Sequence, residues 1–308
     1  MHISRAFFKM SDLFNHPLRN YKRYPGVVVE RNLRYSMAHK MDNKFDVYYS
    51  PKKKNGPYPV LFNIHGGGFV RGGKQYRSGF AKRFADRGWF VVNIDYRLAP
   101  YGTFPAATED SILALNYVNA LKDIYDLDIN KIVITGDSAG GYYAAHLVSA
   151  IYSKRLRDSL GLPEYKGVKP RGLLTFCAPF DVIKCFTAPT PFDISVDITN
   201  CVFGTHYRDN HIPSEFPFKD EDVNILKNVN NEWCESMIIA AQNDSFCGGQ
   251  IEDMLVALEN AGVKYDYFIA RARGDGHCSH LLPFMKGTPA IMAKVDEFLE
   301  KIKGESNN

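Results

Sequence analysis

Lys131-Ile-Val-Ile-Thr-Gly136-Asp137-Ser138-Ala139-Gly140-Gly141 is a short apolar run that breaks abruptly into Gly-x-Ser-x-Gly. The pattern predicts a strand ending in a nucleophile elbow. There the chain reverses into a helix so sharply that the serine backbone is strained and its neighbours have no room for side chains. The turn lifts the Ser138 hydroxyl clear of the sheet edge. The next segment, Tyr142 to Ile151, is rich in Ala and apolar residues, so it is expected to lie on the sheet as a helix with its positive N-terminal end toward Ser138. Taken alone the motif says little, since Gly and Ser are common in ordinary strand-to-helix turns.

The flanking chain supplies the context. Pro59-Val-Leu-Phe-Asn-Ile64 is a continuous apolar run of the kind buried on both faces of a sheet, and it ends in His65-Gly66-Gly67-Gly68. A helical segment, 80–87, leads to a second such run, Trp89 to Ile94, which ends in Asp95-Tyr96-Arg97-Leu98-Ala99-Pro100. A long helix is expected over 106–122. Beyond the elbow, strands are expected at 172–177, 236–241 and 265–270, and helices at 250–261 and 289–301. This alternation implies an α/β protein with a mostly parallel central sheet and helices on both faces. Before it, 27–35 and 43–49 alternate well enough to be antiparallel strands at one edge. Residues 1–26 place Phe7, Phe8, Met10, Leu13, Phe14 and Leu18 at helical spacing, a stripe that needs something to cover. Between Cys185 and Glu235 the strand pattern fails, and an irregular insertion that long is a functional candidate.

Composition narrows the class. The 308 residues are 45% hydrophobic, enough for one large domain with an accessory piece. The formal net charge of +4 is small for this length, and Lys52-Lys53-Lys54 leads into Asn55-Gly56-Pro57, a solvated turn; neither nucleic acid nor a membrane is expected as a partner. The six cysteines have no metal-ligand spacing and form no Cys-x-x-Cys pair, so reduced structural thiols are expected, with no metal and no cofactor. Met1 to His16 lacks the apolar run of a signal peptide, which favours a cytoplasmic protein.

Hydrolysis of an ester by a serine needs a nucleophile, a base, an acid to orient the base, and donors for the oxyanion. Ser138 is the nucleophile candidate. Asp244, in Ile238-Ile-Ala-Ala-Gln-Asn-Asp244, follows the carboxyl end of a predicted strand, where ligand groups of open α/β sheets gather. His277, in Gly274-Asp-Gly-His277, follows the next strand, and His280 stands three residues on. Gly274 and Gly276 supply the permissive backbone for a turn that returns His277 over the elbow, while His280 opens an apolar segment, Leu281-Leu-Pro-Phe284, and is expected to pack. The catalytic set is therefore Ser138, Asp244 and His277, in the chain order used by α/β-hydrolases.

His65-Gly66-Gly67-Gly68, Asp95-Tyr96-Arg97-Leu98-Ala99-Pro100 and Gly136-Asp137-Ser138-Ala139-Gly140-Gly141 together make the chain resemble the hormone-sensitive-lipase-like branch of the α/β-hydrolases, close to bacterial carboxylesterases and acetyl esterases. The resemblance implies an α/β-hydrolase fold with a cap, and an oxyanion hole made by the amides of Gly66, Gly67 and Ala139. It implies a core of 27–184 and 236–308, with residues 1–26 and the insertion 185–235 forming the cap. The implied activity is that of a serine carboxylic-ester hydrolase, a monomer or homodimer, acting on small short-acyl or aryl esters. An amide or aryl-formamide hydrolase on the same triad is the alternative, and a ligand-binding protein on this fold is a remoter one. Asp95, Arg97 and Asp137 are expected to be orienting residues. Cys247 and Cys278 should be spectators, and His146 a packed histidine. His2, His16, His39, His206 and His211 should lie at the surface. Phe7, Phe8, Phe14, Phe186, Phe192, Phe203, Phe216 and Phe218 are expected to roof the pocket.

Overall fold

The computed structural model describes residues 2–37, 43–190, 193–209 and 216–304. His39, Phe192 and His211 fall outside them. Among the described residues, eight strands run in chain order: β1 (Val28–Arg34), β2 (Lys44–Tyr49), β3 (Tyr58–Ile64), β4 (Phe90–Ile94), β5 (Leu127–Asp137), β6 (Gly172–Phe176), β7 (Glu235–Ala241) and β8 (Tyr265–Ala270). The helices are α1 (Ile3–Asn20), α2 (Ser78–Ala85), α3 (Ala106–Ala120), α4 (Lys122–Tyr125), α5 (Ala139–Tyr152), α6 (Lys154–Leu160), α7 (Val182–Thr187), α8 (Ile194–Phe203), α9 (Asp220–Val223), α10 (Ile251–Asn260) and α11 (Thr288–Gly304).

The strands form one sheet in the order β1-β2-β4-β3-β5-β6-β7-β8. β1 and β2 run antiparallel at one edge, and β3 to β8 are mutually parallel. This is the α/β-hydrolase architecture. All seven residues of β3 are buried, as its predominantly apolar run, with Asn63 the polar exception, requires of a strand covered on both faces. Helices α3, α5 and α10 share a core with one face of the sheet, built on Val60, Phe62, Ile64, Ile132 and Ile134. Helices α2 and α11 cover the other, on Leu61, Val91, Val133 and Leu174. Each fully buried large aliphatic or aromatic side chain contributes about 1.5–3 kcal/mol, so the two faces anchor the strand ends firmly. No helix among the described residues is long and apolar enough to cross a membrane.

Two segments depart from the expected pattern. α1 forms, but its apolar stripe largely faces outward: Ile3, Phe7, Met10, Leu13, Phe14 and Leu18 are exposed, while Ser4 and Asp12 are buried. The helix is held by polar contacts on its inner side. Ser4 donates from its amide and its hydroxyl to Asp197 of α8, at 2.9 and 2.6 Å, and Asn20 Oδ1 accepts from the Gly79 amide of α2 at 2.5 Å. The second is the segment 185–235: as expected, its described residues before Glu235 contain no strand, but they form helix α8, which packs against both α7 and α1.

Candidate active site

The elbow forms as its spacing requires. Ser138 sits between β5 and α5 with φ 54° and ψ −125°, a conformation that costs a non-glycine residue on the order of 1–3 kcal/mol and persists only where its surroundings fix it. The flanking glycines explain how the turn closes. A Cβ at Gly136 would lie 2.2 Å from the Gly140 carbonyl oxygen, and one at Gly140 would lie 2.1 Å from that of Ile64. Side chains at either position would push α5 off the sheet.

His277 bridges the two other groups. One ring nitrogen, Nε2, lies 2.8 Å from Ser138 Oγ, and Nδ1 lies 2.9 Å from both carboxylate oxygens of Asp244. Asp244 is fixed in turn by the amides of Phe246 and Cys247, each donating to its Oδ1 at 2.9 Å. Burial by itself would lower the pKa of His277, but the hydrogen bond and charge of Asp244 outweigh it and push it from 6.5 up to about 9. Burial would likewise raise Asp244, yet its bond to His277 keeps it below the usual carboxylate range. Both nitrogens of His277 are thereby committed, which leaves it a poor metal ligand although Cys177, Cys247 and Cys278 lie near.

His280 is elsewhere. Its ring stacks on Phe176 with centroids 3.8 Å apart, and burial lowers its pKa to about 3, so it is a neutral packing residue. Asp137 receives two bonds from Arg77, at 2.6 and 2.5 Å. Although burial opposes ionisation, the Arg77 charge holds Asp137 far below the usual carboxylate range. Asp95 accepts from the Lys74 amide and ammonium, and Arg97 clasps Asp110 and Glu109, which ties down the loop after β4. His146 packs between Thr108 and the Asp222 carbonyl. All six cysteines are free; burial pushes the Cys278 thiol well above its ordinary value, and the thiol pair Cys185 and Cys247 lines the cavity.

One expectation needs correction. Gly66 does not offer its amide to the site: that N–H donates to Asp137 Oδ1 at 3.3 Å, drawn there by the carboxylate that Arg77 holds in place. Gly68, in contrast, lines the cavity beside Ser138 and His277. Its lack of a side chain matters, because a Cβ there would meet the ring of Phe8 at 2.0 Å. Nothing in the His-Gly-Gly-Gly motif alone distinguishes its three amides; the salt bridge between residues sixty apart does.

The cavity over Ser138 is about 50 Å³, walled by Phe8, Phe69, Phe186, Ile194, Ile198 and Phe246. Phe246 leans on the His277 ring, with centroids 5.0 Å apart. Phe8 and Phe186 are the roofing aromatics that reach this space. Phe7 touches Phe246 from outside; Phe203, Phe216 and Phe218 cluster with one another, and Phe14 is exposed.

A family model described as BD-FAE matches residues 45–210. Esterase LipI of Mycobacterium tuberculosis is 38% identical over 106 residues, 34% of this chain and 32% of that protein. The acetyl esterase of Salmonella schwarzengrund is 35% identical over 111 residues, 36% of this chain and 32% of that protein. The matched stretch thus spans about a third of the length of these curated relatives. Among solved structures, esterase B of Lactobacillus rhamnosis superposes with a TM-score of 0.82 at 19% identity, covering 96% of this chain and 94% of its own. A bacterial heroin esterase superposes with a TM-score of 0.76 at 22% identity, covering 96% and 90%. At these identities the likeness is one of fold.

Proposed function

The chain belongs to the BD-FAE family of α/β-hydrolases, and from that premise we propose that it is a serine carboxylic-ester hydrolase acting on small esters with a short acyl or an aryl group. The observation that carries the reading is the single imidazole, His277, held between the hydroxyl of Ser138 and the carboxylate of Asp244. In this reading Ser138 Oγ attacks the ester carbonyl carbon as its proton passes to His277 Nε2. Asp244 holds the ring in the tautomer that presents a free Nε2 and stabilises the imidazolium that forms. The oxyanion is received by the amides of Gly67, Gly68 and Ala139, over the positive end of α5. His277 then protonates the leaving alcohol, and an acyl-enzyme on Ser138 remains. Water attacks it with the same base, releasing the acid. The N-terminal segment and the 185–235 insertion, through Phe8 and Phe186, act as the cap that keeps water from the acyl group.

The cavity size supports the substrate class. About 50 Å³ is room for an acetyl or propionyl group but not for a long chain, and its walls are apolar. Across p-nitrophenyl esters of graded length, kcat/KM is expected to be highest for acetyl to butyryl and to fall on the order of tenfold or more by decanoyl. A steady rise toward palmitoyl would overturn the short-acyl reading. Matched acetyl esters and acetanilides separate ester from amide hydrolysis, and faster turnover of the amide would replace the first reading by the second.

A pH dependence follows from Asp244. The base must be neutral to take the Ser138 proton, and the carboxylate raises its pKa, so kcat/KM is expected to rise with pH through a limb displaced from 6.5 toward about 9. Asp244→Asn removes the charge and should move that limb down as well as lowering the rate. A native limb at or below pH 6.5 would contradict the charge pairing.

A further inference from the structure

The outward stripe of α1 is a continuous row. Ile3, Phe7, Met10, Phe14 and Leu18 recur at steps of three and four along the helix, Tyr21 extends the row past its end, and all six are exposed. Met10, Leu13 and Phe14 stand 58%, 63% and 73% open. The row also continues sideways: Phe7 meets Phe246, with ring centroids 6.3 Å apart, and Phe246 is partly exposed while lining the acyl cavity beside His277. From the inner side of the same helix Phe8 reaches that cavity. One apolar surface thus runs from α1 to the cavity wall.

Charge borders this row and is of one sign. Residues 1–26 carry five cations, Arg5, Lys9, Arg19, Lys22 and Arg23, against Asp12 alone, so their net charge equals the +4 of the whole chain and the remainder sums to neutrality. Arg19 and Asp12 turn inward and pair with each other. Lys9, Lys22 and Arg23 are exposed, and the Arg5 guanidinium lies over the exposed ring of Tyr101, 4.8 Å from its centroid. Asp197, the carboxylate of α8 that this helix meets, is taken by Ser4 and His2. The exposed side of α1 is therefore apolar and cationic, with no exposed carboxylate among residues 2–26. A helix with an aliphatic and aromatic face bordered by Lys and Arg suits the plane of a membrane surface, and the basic border selects anionic headgroups.

We propose that α1 docks the protein on an anionic phospholipid surface, with Phe7, Met10, Leu13, Phe14 and Leu18 entering the boundary between headgroups and acyl chains and Lys9, Lys22 and Arg23 meeting the headgroup anions. A second copy fits the same row less well: pairing α1 against itself about a two-fold axis would bring two sets of these cations together, with no exposed carboxylate of the segment to receive them. The docking uses no reacting group, so it stands whether or not Ser138 is the nucleophile. Through Phe8 and Phe246 it sets the wall of the acyl cavity next to the lipid.

The test is co-sedimentation of the full chain with vesicles of equal parts phosphatidylcholine and phosphatidylserine, beside vesicles of phosphatidylcholine alone. Saturable binding to the mixed vesicles is expected, on the order of tenfold or more stronger than to the neutral ones, and weakened when salt is raised from about 0.05 to about 0.5 M. Met10→Gln with Phe14→Gln removes two open apolar side chains while keeping helix-forming residues, and should weaken binding on the order of tenfold or more. Lys9→Glu with Lys22→Glu and Arg23→Glu should reduce binding of the mixed vesicles to the level of the neutral ones. Thermal midpoints close to native are expected for both sets, since the altered side chains face solvent, and Ser138→Ala should bind like the native chain. No saturable binding, equal binding to the two vesicle types, or native binding in either set of variants would each overturn the proposal. So would a dimer of the free chain that Met10→Gln with Phe14→Gln dissociates, which would assign the row to a second copy.

Discussion

Ser138→Ala is expected to lower kcat for p-nitrophenyl acetate by on the order of 10⁴-fold while leaving the fold in place. That factor corresponds to about 5 kcal/mol of activation free energy, far more than the loss of one hydrogen bond, because the covalent route itself disappears. The fold should survive for a local reason. The Ser138 side chain is only partly buried, and among the described residues its Oγ bonds to His277 alone, so removing it leaves little cavity and one part-exposed imidazole nitrogen to be met by water. Gly136 and Gly140 continue to hold the turn, since their contacts are with backbone. The amides of Gly67, Gly68 and Ala139 remain too, so a residual rate above that of water should persist. The measurement is a kcat comparison on protein freed of host esterases, with thermal midpoints recorded alongside. Turnover within tenfold of native would sink the nucleophile assignment; a collapsed midpoint would mean that Ser138 is needed for the elbow itself.

The sheet was legible because its strands carry their own pattern. Val60 to Ile64, Phe90 to Ile94 and Ile132 to Thr135 are apolar runs interrupted only by Asn63 and Asn93 and ended by Thr135, each closed by a chemically distinct turn, and a central strand buried on both faces suits them. The structure extends β5 back to Leu127, five residues before the apolar run begins. There the pairing with β3 jumps from Pro59↔Asp128 to Val60↔Ile132, so a bulge breaks the alternation that would have announced the strand. Helix α8 was hidden for a different reason. Ile194, Val196, Ile198, Thr199 and Val202 are β-branched residues that stiffen at χ1 and favour strands, and only their burial against α1 and α7 stabilises the helical form.

Long-range charge was the least visible layer. The outward stripe of α1 follows from where its polar side is held, by Asp197 on α8, and that partner lies 193 residues away. The Gly66 amide is turned from Ser138 by a carboxylate that Arg77 fixes, and no local spacing encodes that pair. The meeting of Ser138, Asp244 and His277 was easier to read, because each follows a strand end and the sheet order brings those ends together, those of β5, β7 and β8 respectively.

His277→Ala should cost on the order of 10³-fold or more in kcat, whereas His280→Ala should keep most of the rate and lose stability instead. The two histidines are three residues apart, yet their surroundings push them in opposite directions. Asp244 raises the pKa of His277 toward 9, and burial against Phe176 and Phe80 lowers that of His280 to about 3. A group with a pKa near 3 is neutral throughout the range in which an esterase assay is run, so it contributes no titration between pH 5 and pH 10. Any acid limb in that window therefore belongs to His277, and His280→Ala should retain it unchanged. Removing the His280 ring leaves a gap beside Phe176 in the core, which should lower stability by about 1–3 kcal/mol and show as a reduced thermal midpoint. The decisive comparison is kcat/KM against pH for both variants beside the native chain. If His280→Ala abolished the limb and the activity while His277→Ala kept both, the base would be His280, and the hydrogen bonds from His277 to Ser138 and Asp244 would be packing alone.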